Sequence, residues 1–110
     1  MKIDMTHEND VYMIKLEGYL DTASSPELQK LIEDISAKTF DKGNNKGKSG
    51  FNVVFDLAKV DFVSSAGLRV LLLTKKLTDR QHGKIAVINV QQSIREVLDM
   101  TGFSKFLNLK

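Results

Sequence analysis

Apolar and polar positions divide the chain into segments of two kinds. The first two, MKIDM and VYMIKLEGYL, are β-prone and are separated by THEND, whose Asn9 and Asp10 are good turn residues, so the pattern predicts a hairpin. Leu28, Leu31, Ile32 and Ile35 then recur at helical spacing. Ser24 and Glu27 stand at capping-box spacing with Pro26 in the first turn, which predicts a helix over Ser24–Lys38. The run from Asp41 to Gly50 is polar, glycine-rich and without periodicity, and is expected to form an exposed, flexible loop. FNVVFDL, Phe51–Leu57, is nearly continuous apolar, β-branched or aromatic, the pattern of a strand buried on both faces and central in its sheet. AKVDFV connects it to two serines and a helix over Ser65–Arg80. HGKIAVINV follows as turn and strand, the helix around SIREVLDMTG stops at Gly102, a natural cap, and a short apolar tail, FSKFLNL, comes last.

Strands alternating with helices after an initial hairpin predict an α/β fold. The expected sheet is mixed and mostly parallel, with right-handed crossovers and helices packed on it. No internal repeat or second domain interrupts the pattern, so residues 1–110 are expected to form one domain.

Composition narrows the function classes. With 42% hydrophobic residues in 110, the chain is too apolar for disorder and long enough to bury a core. No run approaches the roughly 20 apolar residues of a membrane span, and MKIDMTHEND lacks the apolar core of a signal peptide, so the expected location is cytoplasmic. Absence of cysteine excludes disulfides, thiol catalysis and thiolate metal sites. A net charge of +2 is too small to argue for nucleic acid, and Lys42, Lys46 and Lys48 in one loop account for much of the basic bias. That loop resembles a phosphate-binding motif only superficially. Gly43 and Gly47 are separated by three residues where a P-loop has four, and the order is helix then strand, the reverse of what aims amides at a phosphate.

The stretch VDFVSSAGLRVLLL, Val60–Leu73, carries the candidate chemistry. On a helical wheel from Ser65, Ala66, Val70, Leu73 and Leu77 form one stripe, the expected core-facing set. Leu68, Leu71 and Leu72 fall on roughly the opposite side, either packed on a neighbouring helix or exposed as a partner surface, with Arg69 at the rim. Ser64 and Ser65 sit where the unpaired amides of the helix begin, so capping is their ordinary role. A phosphate added there would meet free amides and the positive end of the helix dipole, changing the surface without unfolding the domain. A nucleophile elbow is excluded: Val63 and Phe62 occupy the positions where a glycine would precede the serines. The only histidines, His7 and His82, are expected in turns and supply no base, so no enzyme activity is expected.

NVVFDL, AKVDFV and SSAGLRVLLL resemble the signature of STAS domains, specifically the small bacterial anti-sigma factor antagonists. LEGYLDTASSPEL before them is similar to the family's Gly-x-Leu-Asp turn, and IREVLDMTGFSKFL matches further on, so the resemblance covers nearly the whole chain in the family's order. It implies partner switching. The unmodified antagonist binds an anti-sigma factor that is also a serine kinase, freeing a sigma factor; phosphorylation of a serine ends the complex, and a PP2C-type phosphatase restores it. In the family the acceptor stands two residues before the glycine of a Gly-Leu pair, which maps onto Ser65, with Ser64 as second choice. Asp21 maps onto the acidic residue of the family's other loop. Ser64 stands where well-studied antagonists have aspartate, so a charge is lost and a second hydroxyl gained.

The implied partner surface comprises Asp21, Thr22, Ser64, Ser65, Gly67, Leu68, Arg69, Leu71 and Leu72. Asp61 either adds charge to it or is a solvated turn residue, and Asp21 either joins it or caps its own turn. The implied protein is a monomer or weak dimer with no metal, cofactor, nucleic acid or membrane partner. The family also admits a second reading, an interaction module in a complex without a kinase: a sensor scaffold, a transporter regulator or a small-ligand binder.

Overall fold

The computed structural model describes residues 1–43 and 50–109. The hairpin forms from β1 (Lys2–Glu8) and β2 (Val11–Leu20), paired antiparallel with Glu8 opposite Val11. Asn9 and Asp10 adopt φ of 50° and 66°, the pair of positive values that a two-residue type I′ turn requires. β3 (Asn52–Val63) and β4 (Ile85–Ile88) run parallel to β2, giving the order β1-β2-β3-β4 and the expected mixed, mostly parallel sheet. α1 (Ser25–Gly43) joins β2 to β3, and α2 (Ser65–Arg80) joins β3 to β4. α3 (Gln92–Thr101) follows, stopped by Gly102 at φ 82°, and after a 3-10 turn the apolar tail bridges Leu109 to Val87 at the sheet edge.

Both crossovers step the same way across the sheet, and right-handed connections therefore place α1 and α2 over one face. Burial agrees. Tyr12, Ile14 and Leu16 of β2, Val53, Phe55 and Leu57 of β3, and Ile85 and Val87 of β4 are buried, and they join Leu28, Ile32 and Ile35 of α1 in one core. Ile94 and Leu98 of α3 and the tail residue Leu107 complete it.

β3 is internal in the sheet, yet it is not buried on both faces as its apolar run predicts. Asn52, Val54 and Asp56 alternate with the core residues and are half-buried on the opposite face. The strand also continues through AKVDFV to Val63. Lys15 and Glu17 pair with Asp56 and Lys59, and Gly18 and Tyr19 pair with Val60 and Phe62, so β3 carries an extra residue at each of two bulges. The bulges shift the strand's alternation, keeping Val60 and Val63 in the core while Phe62 turns outward.

The uncovered face carries two rows of alternating charge. Lys2, Glu17 and Lys59 are cross-strand neighbours, as are Asp4, Lys15 and Asp56. Lys59 and Glu17 approach to 3.6 Å and are exposed, so this pair adds little stability.

The helices differ from expectation in three places. α1 extends to Gly43, with Thr39 donating its hydroxyl to the Ile35 carbonyl at 2.8 Å; the rest of the predicted 41–50 loop, 44–49, lies outside the described residues. The capping box does not form: the Ser24 hydroxyl turns back to the Tyr19 carbonyl at 2.7 Å and does not cap Glu27. On α2 the deepest line is Gly67, Val70, Leu71, Thr74 and Thr78, with Leu68 beside it. Ala66, Leu73 and Leu77 are half-buried on one flank and Leu72 on the other. The two predicted leucine stripes therefore bracket the true buried face, whose centre is glycine and threonine. Hydropathy misses it because Thr74 and Thr78 satisfy their hydroxyls on the carbonyls of Val70 and Lys75, at 2.8 and 2.9 Å, and bury at no polar cost.

Gly67 is what lets α2 approach β2. A Cβ there would stand 2.7 Å from both Cγ and the carbonyl oxygen of Leu20, closer than atoms tolerate, and the carbonyl cannot swing away because it accepts the Ser64 amide at 2.9 Å. Gly67→Ala is therefore expected to cost about 1–3 kcal/mol. Urea unfolding should show a lowered midpoint at unchanged m-value, and wild-type stability would disprove the close approach.

Candidate functional site

Three loops meet at the carboxyl ends of the parallel strands, where open α/β sheets place their binding sites. The Ser64 amide donates to the Leu20 carbonyl at 2.9 Å, which fastens the β3–α2 junction to the start of the β2–α1 loop. Gln91, in the β4–α3 loop, reaches across β3: its side-chain amide donates to the carbonyls of Val60 at 2.8 Å and Ala58 at 3.1 Å and to Asp61 Oδ1 at 3.2 Å. One end of the sheet is thus tied together by backbone and amide bonds.

Asp21 organises the β2–α1 loop. Its Oδ1 accepts the amides of Ala23 and Ser24 at 3.1 and 3.0 Å and lies 3.1 Å from the Ser24 hydroxyl, while its own amide donates to Ser24 Oγ at 3.0 Å. The Ser24 amide, then the Ser24 hydroxyl, hold the Asp21 carboxyl below the usual carboxylate range. Asp21 is thus a loop-forming residue as well as a surface charge, and Thr22 beside it is exposed.

The two serines have different geometry. Ser64 is the N-cap of α2, extended at φ −89° and ψ 175°, half-buried, with its hydroxyl accepting the Gly67 amide at 3.3 Å. Ser65 occupies the first helical position, and its side chain is exposed. Its hydroxyl makes no hydrogen bond among the described residues. The amides of Ser65 and Ala66 open the helix and have no carbonyl one turn earlier to bind.

The two histidines lie away from this site. His7 lies in β1, not in the turn expected for it, and stacks on Tyr12 with ring centroids 3.9 Å apart; Tyr12 pairs with Val53 at the amino end of β3. His82 sits in the turn after α2, next to Gly83, which packs on Phe51 at that same end. Both histidines are therefore at the opposite end of the parallel strands from the serines. Among the described residues no group of three His, Asp or Glu side chains is placed to hold a metal, and no helix is long and apolar enough to cross a membrane.

The STAS domain profile matches residues 2–110, essentially the whole sequence. The chain belongs to the STAS family, among the anti-sigma factor antagonists. BtrV of Bordetella bronchiseptica, a candidate anti-sigma factor antagonist, is 31% identical over 94% of this chain and 80% of its own length. An anti-sigma F factor antagonist of Paenibacillus polymyxa is 26% identical over 97% of this chain and 84% of its own. Among solved structures, SpoIIAA, a Bacillus cell fate determinant, in its phosphorylated form superposes with a TM-score of 0.72 at 13% identity, over 99% of this chain and 91% of that one. The two sequence relatives carry names of regulators, antagonists of anti-sigma factors, and not of enzymes.

Within this STAS domain the residues expected at the partner surface divide cleanly. Asp21, Thr22, Ser64, Ser65 and Arg69 gather at the carboxyl end of the sheet with at least part of each side chain accessible, as does Asp61. Leu71 is fully buried and Leu68 is 9% exposed, so both belong to the core and are corrected out of the contact surface; Gly67 serves packing, and Leu72 is half-buried. Two residues not anticipated lie at the same end. Tyr19 and Phe62, paired across β2 and β3, are 59% and 50% exposed. Tyr19 was legible from its place beside Leu20 in a strand with alternating burial; Phe62 was not, because its orientation depends on the bulges.

The capping geometry predicts a difference between the serines. Ser64→Ala should cost about 1 kcal/mol in thermal or urea unfolding. Ser65→Ala should leave stability within about 0.5 kcal/mol of wild type, and equal losses in both variants would contradict the assignment of the cap. Asp21 adds a pH dependence. A carboxyl whose folded-state pKa is depressed contributes stability that is complete above the unfolded-state value and is lost as pH falls through the folded one. The stability gap between wild type and Asp21→Asn should accordingly be present at neutral pH and close below the usual carboxylate range; a gap unchanged from pH 7 to pH 3 would refute the role of the ionised side chain.

Proposed function

We propose that this STAS domain is an anti-sigma factor antagonist whose complex with a serine-kinase-type anti-sigma factor is switched by phosphorylation of Ser65. The observation that carries the reading is the division of labour at the helix start: the Ser64 hydroxyl is engaged with the Gly67 amide, while the Ser65 hydroxyl is exposed and unbonded among the described residues. An acceptor must present its oxygen to the γ-phosphate of the kinase's nucleotide, and Ser65 meets that need without breaking a cap.

The switch follows from charge. A phosphoryl group on Ser65 carries nearly two negative charges, and the adjacent amides and helix dipole let the folded domain carry it. The same group would stand where the kinase holds its nucleotide phosphates, close to Asp21 and Asp61, and like charges brought together in a partly dry interface oppose the complex. Removal by a PP2C-type phosphatase returns the binding form. Such a protein acts in the cytoplasm as a single domain, monomeric or weakly dimeric when free.

Purified protein incubated with ATP and each anti-sigma kinase of its own genome should gain one phosphate, mapped to Ser65 by mass spectrometry; modification confined to Ser64, or none with any kinase, would overturn the switch. Ser65→Asp should fold normally and bind the anti-sigma factor at least about tenfold more weakly, a loss of about 1.4 kcal/mol. Unchanged affinity would count against the electrostatic mechanism.

A further inference from the structure

The geometry points to Tyr19 and Phe62, rimmed by Asp21 and Asp61, as the anchoring patch for the anti-sigma factor, matched to a surface segment that presents arginine. The inference rests on the function proposed above and names the part of the antagonist that supplies affinity, as distinct from the serine that switches it.

Fold stability gives no reason for this arrangement. Tyr19 and Phe62 are among the few large apolar side chains left exposed, and they stand together: their rings meet edge to face with centroids 6.2 Å apart and planes at 80°. Phe62 is turned outward by the second bulge of β3, and the residue that this bulge inserts is Asp61. One irregularity therefore leaves an aromatic residue and an aspartate, consecutive in the chain, both exposed, and bulges serve this purpose of re-aiming side chains next to functional sites.

The patch is also rigid. Both aromatic residues are held in paired strands, and the Tyr19 carbonyl is further fixed by the Ser24 hydroxyl at 2.7 Å. Aromatic side chains on a fixed backbone lose little entropy on binding, which is why tyrosine and other aromatics dominate the energetic centres of interfaces.

Charge selects the occupant. Asp21 and Asp61 each use Oδ1 inside the domain, on the loop amides and on Gln91, which leaves Oδ2 of both for a partner. Neither forms an ion pair among the described residues. A guanidinium satisfies both features of such a site, stacking its plane on an aromatic face and directing its forked donors at a carboxylate. Phe62 stands near the end of β3, three residues before Ser65 at the start of α2, so a partner seated on the rings would bring its kinase site towards the switch.

The test is calorimetric titration of wild type, Tyr19→Ala, Phe62→Ala and Asp61→Asn against each purified serine-kinase-type anti-sigma factor of the same genome, at two salt concentrations. Thermal melts and sedimentation of each variant accompany it. Each aromatic truncation is expected to weaken binding at least about tenfold with the melting temperature nearly unchanged. Asp61→Asn should weaken it several-fold and flatten its salt dependence. Wild-type binding that survives both aromatic truncations overturns this inference while leaving the proposed function standing. A wild-type dimer that the truncations dissociate, with affinity for the anti-sigma factor intact, reassigns the patch to a second copy and overturns it as well. Failure of the wild type to bind any of these anti-sigma factors overturns the proposed function and this inference with it.

Discussion

The architecture of the site depends on one close approach, that of the first turn of α2 to the last residue of β2. The Leu20 carbonyl accepts the Ser64 amide, and Gly67 leaves no side chain to hold the helix away. This contact fixes the position of the helix start relative to the neighbouring loop. It therefore sets how Ser65, at the first helical position, lies relative to Asp21, one residue beyond Leu20, and to the strand ends that carry Tyr19 and Phe62. A glycine whose only visible role is packing thereby determines the shape of a surface it does not itself form.

A capping hydroxyl and an exposed hydroxyl stand on adjacent residues at this junction. Ser64 holds the helix end and the Ser65 hydroxyl makes no hydrogen bond among the described residues, so chemistry on one hydroxyl need not disturb the other. The same economy holds in the β2–α1 loop, where Asp21 uses one carboxylate oxygen to order the turn and keeps the second in solvent. A regulatory protein that must remain folded in two covalent states needs such a separation, because a modification that removed a cap would lower stability as well as affinity.

The sequence carried most of the fold and part of the site. The hairpin turn, the limits of α2 and the stop at Gly102 were legible because each depends on local backbone chemistry: positive φ at Asn9 and Asp10, a cap at Ser64, a left-handed residue at Gly102. The buried face of α2 was not legible, because its deepest positions are Gly67, Thr74 and Thr78, and burial there depends on proximity to the sheet and on hydroxyls satisfied by their own helix. Leu68 and Leu71 lie on the buried side for that reason, although their place on the wheel sets them apart from the stripe of Ala66, Val70, Leu73 and Leu77. The length and orientation of β3 were obscured by its bulges, which shift the alternation of inward and outward residues with no glycine or proline in β3 itself; the one glycine at hand, Gly18 at φ 111°, stands across from the second bulge in β2. Phe62 was hidden by the same shift. The family's motif points to the serine pair at the start of α2, but the aromatic pair on the neighbouring strands emerges only once the register of β2 against β3 is known.

The rows of alternating charge on the uncovered face bear on how the chain finds its register. A tight turn aligns β1 with β2, but β2 meets β3 only after the whole of α1 and the loop have been closed, so nothing local sets their alignment. A slip of two residues would preserve which side chains face the core and would be invisible to hydrophobic burial. In one direction it would, however, bring Glu17 opposite Asp56 in place of Lys15, carboxylate against carboxylate. Charges that add little to the finished fold therefore raise the energy of one of its two nearest misalignments, and they earn their place by what they forbid during assembly.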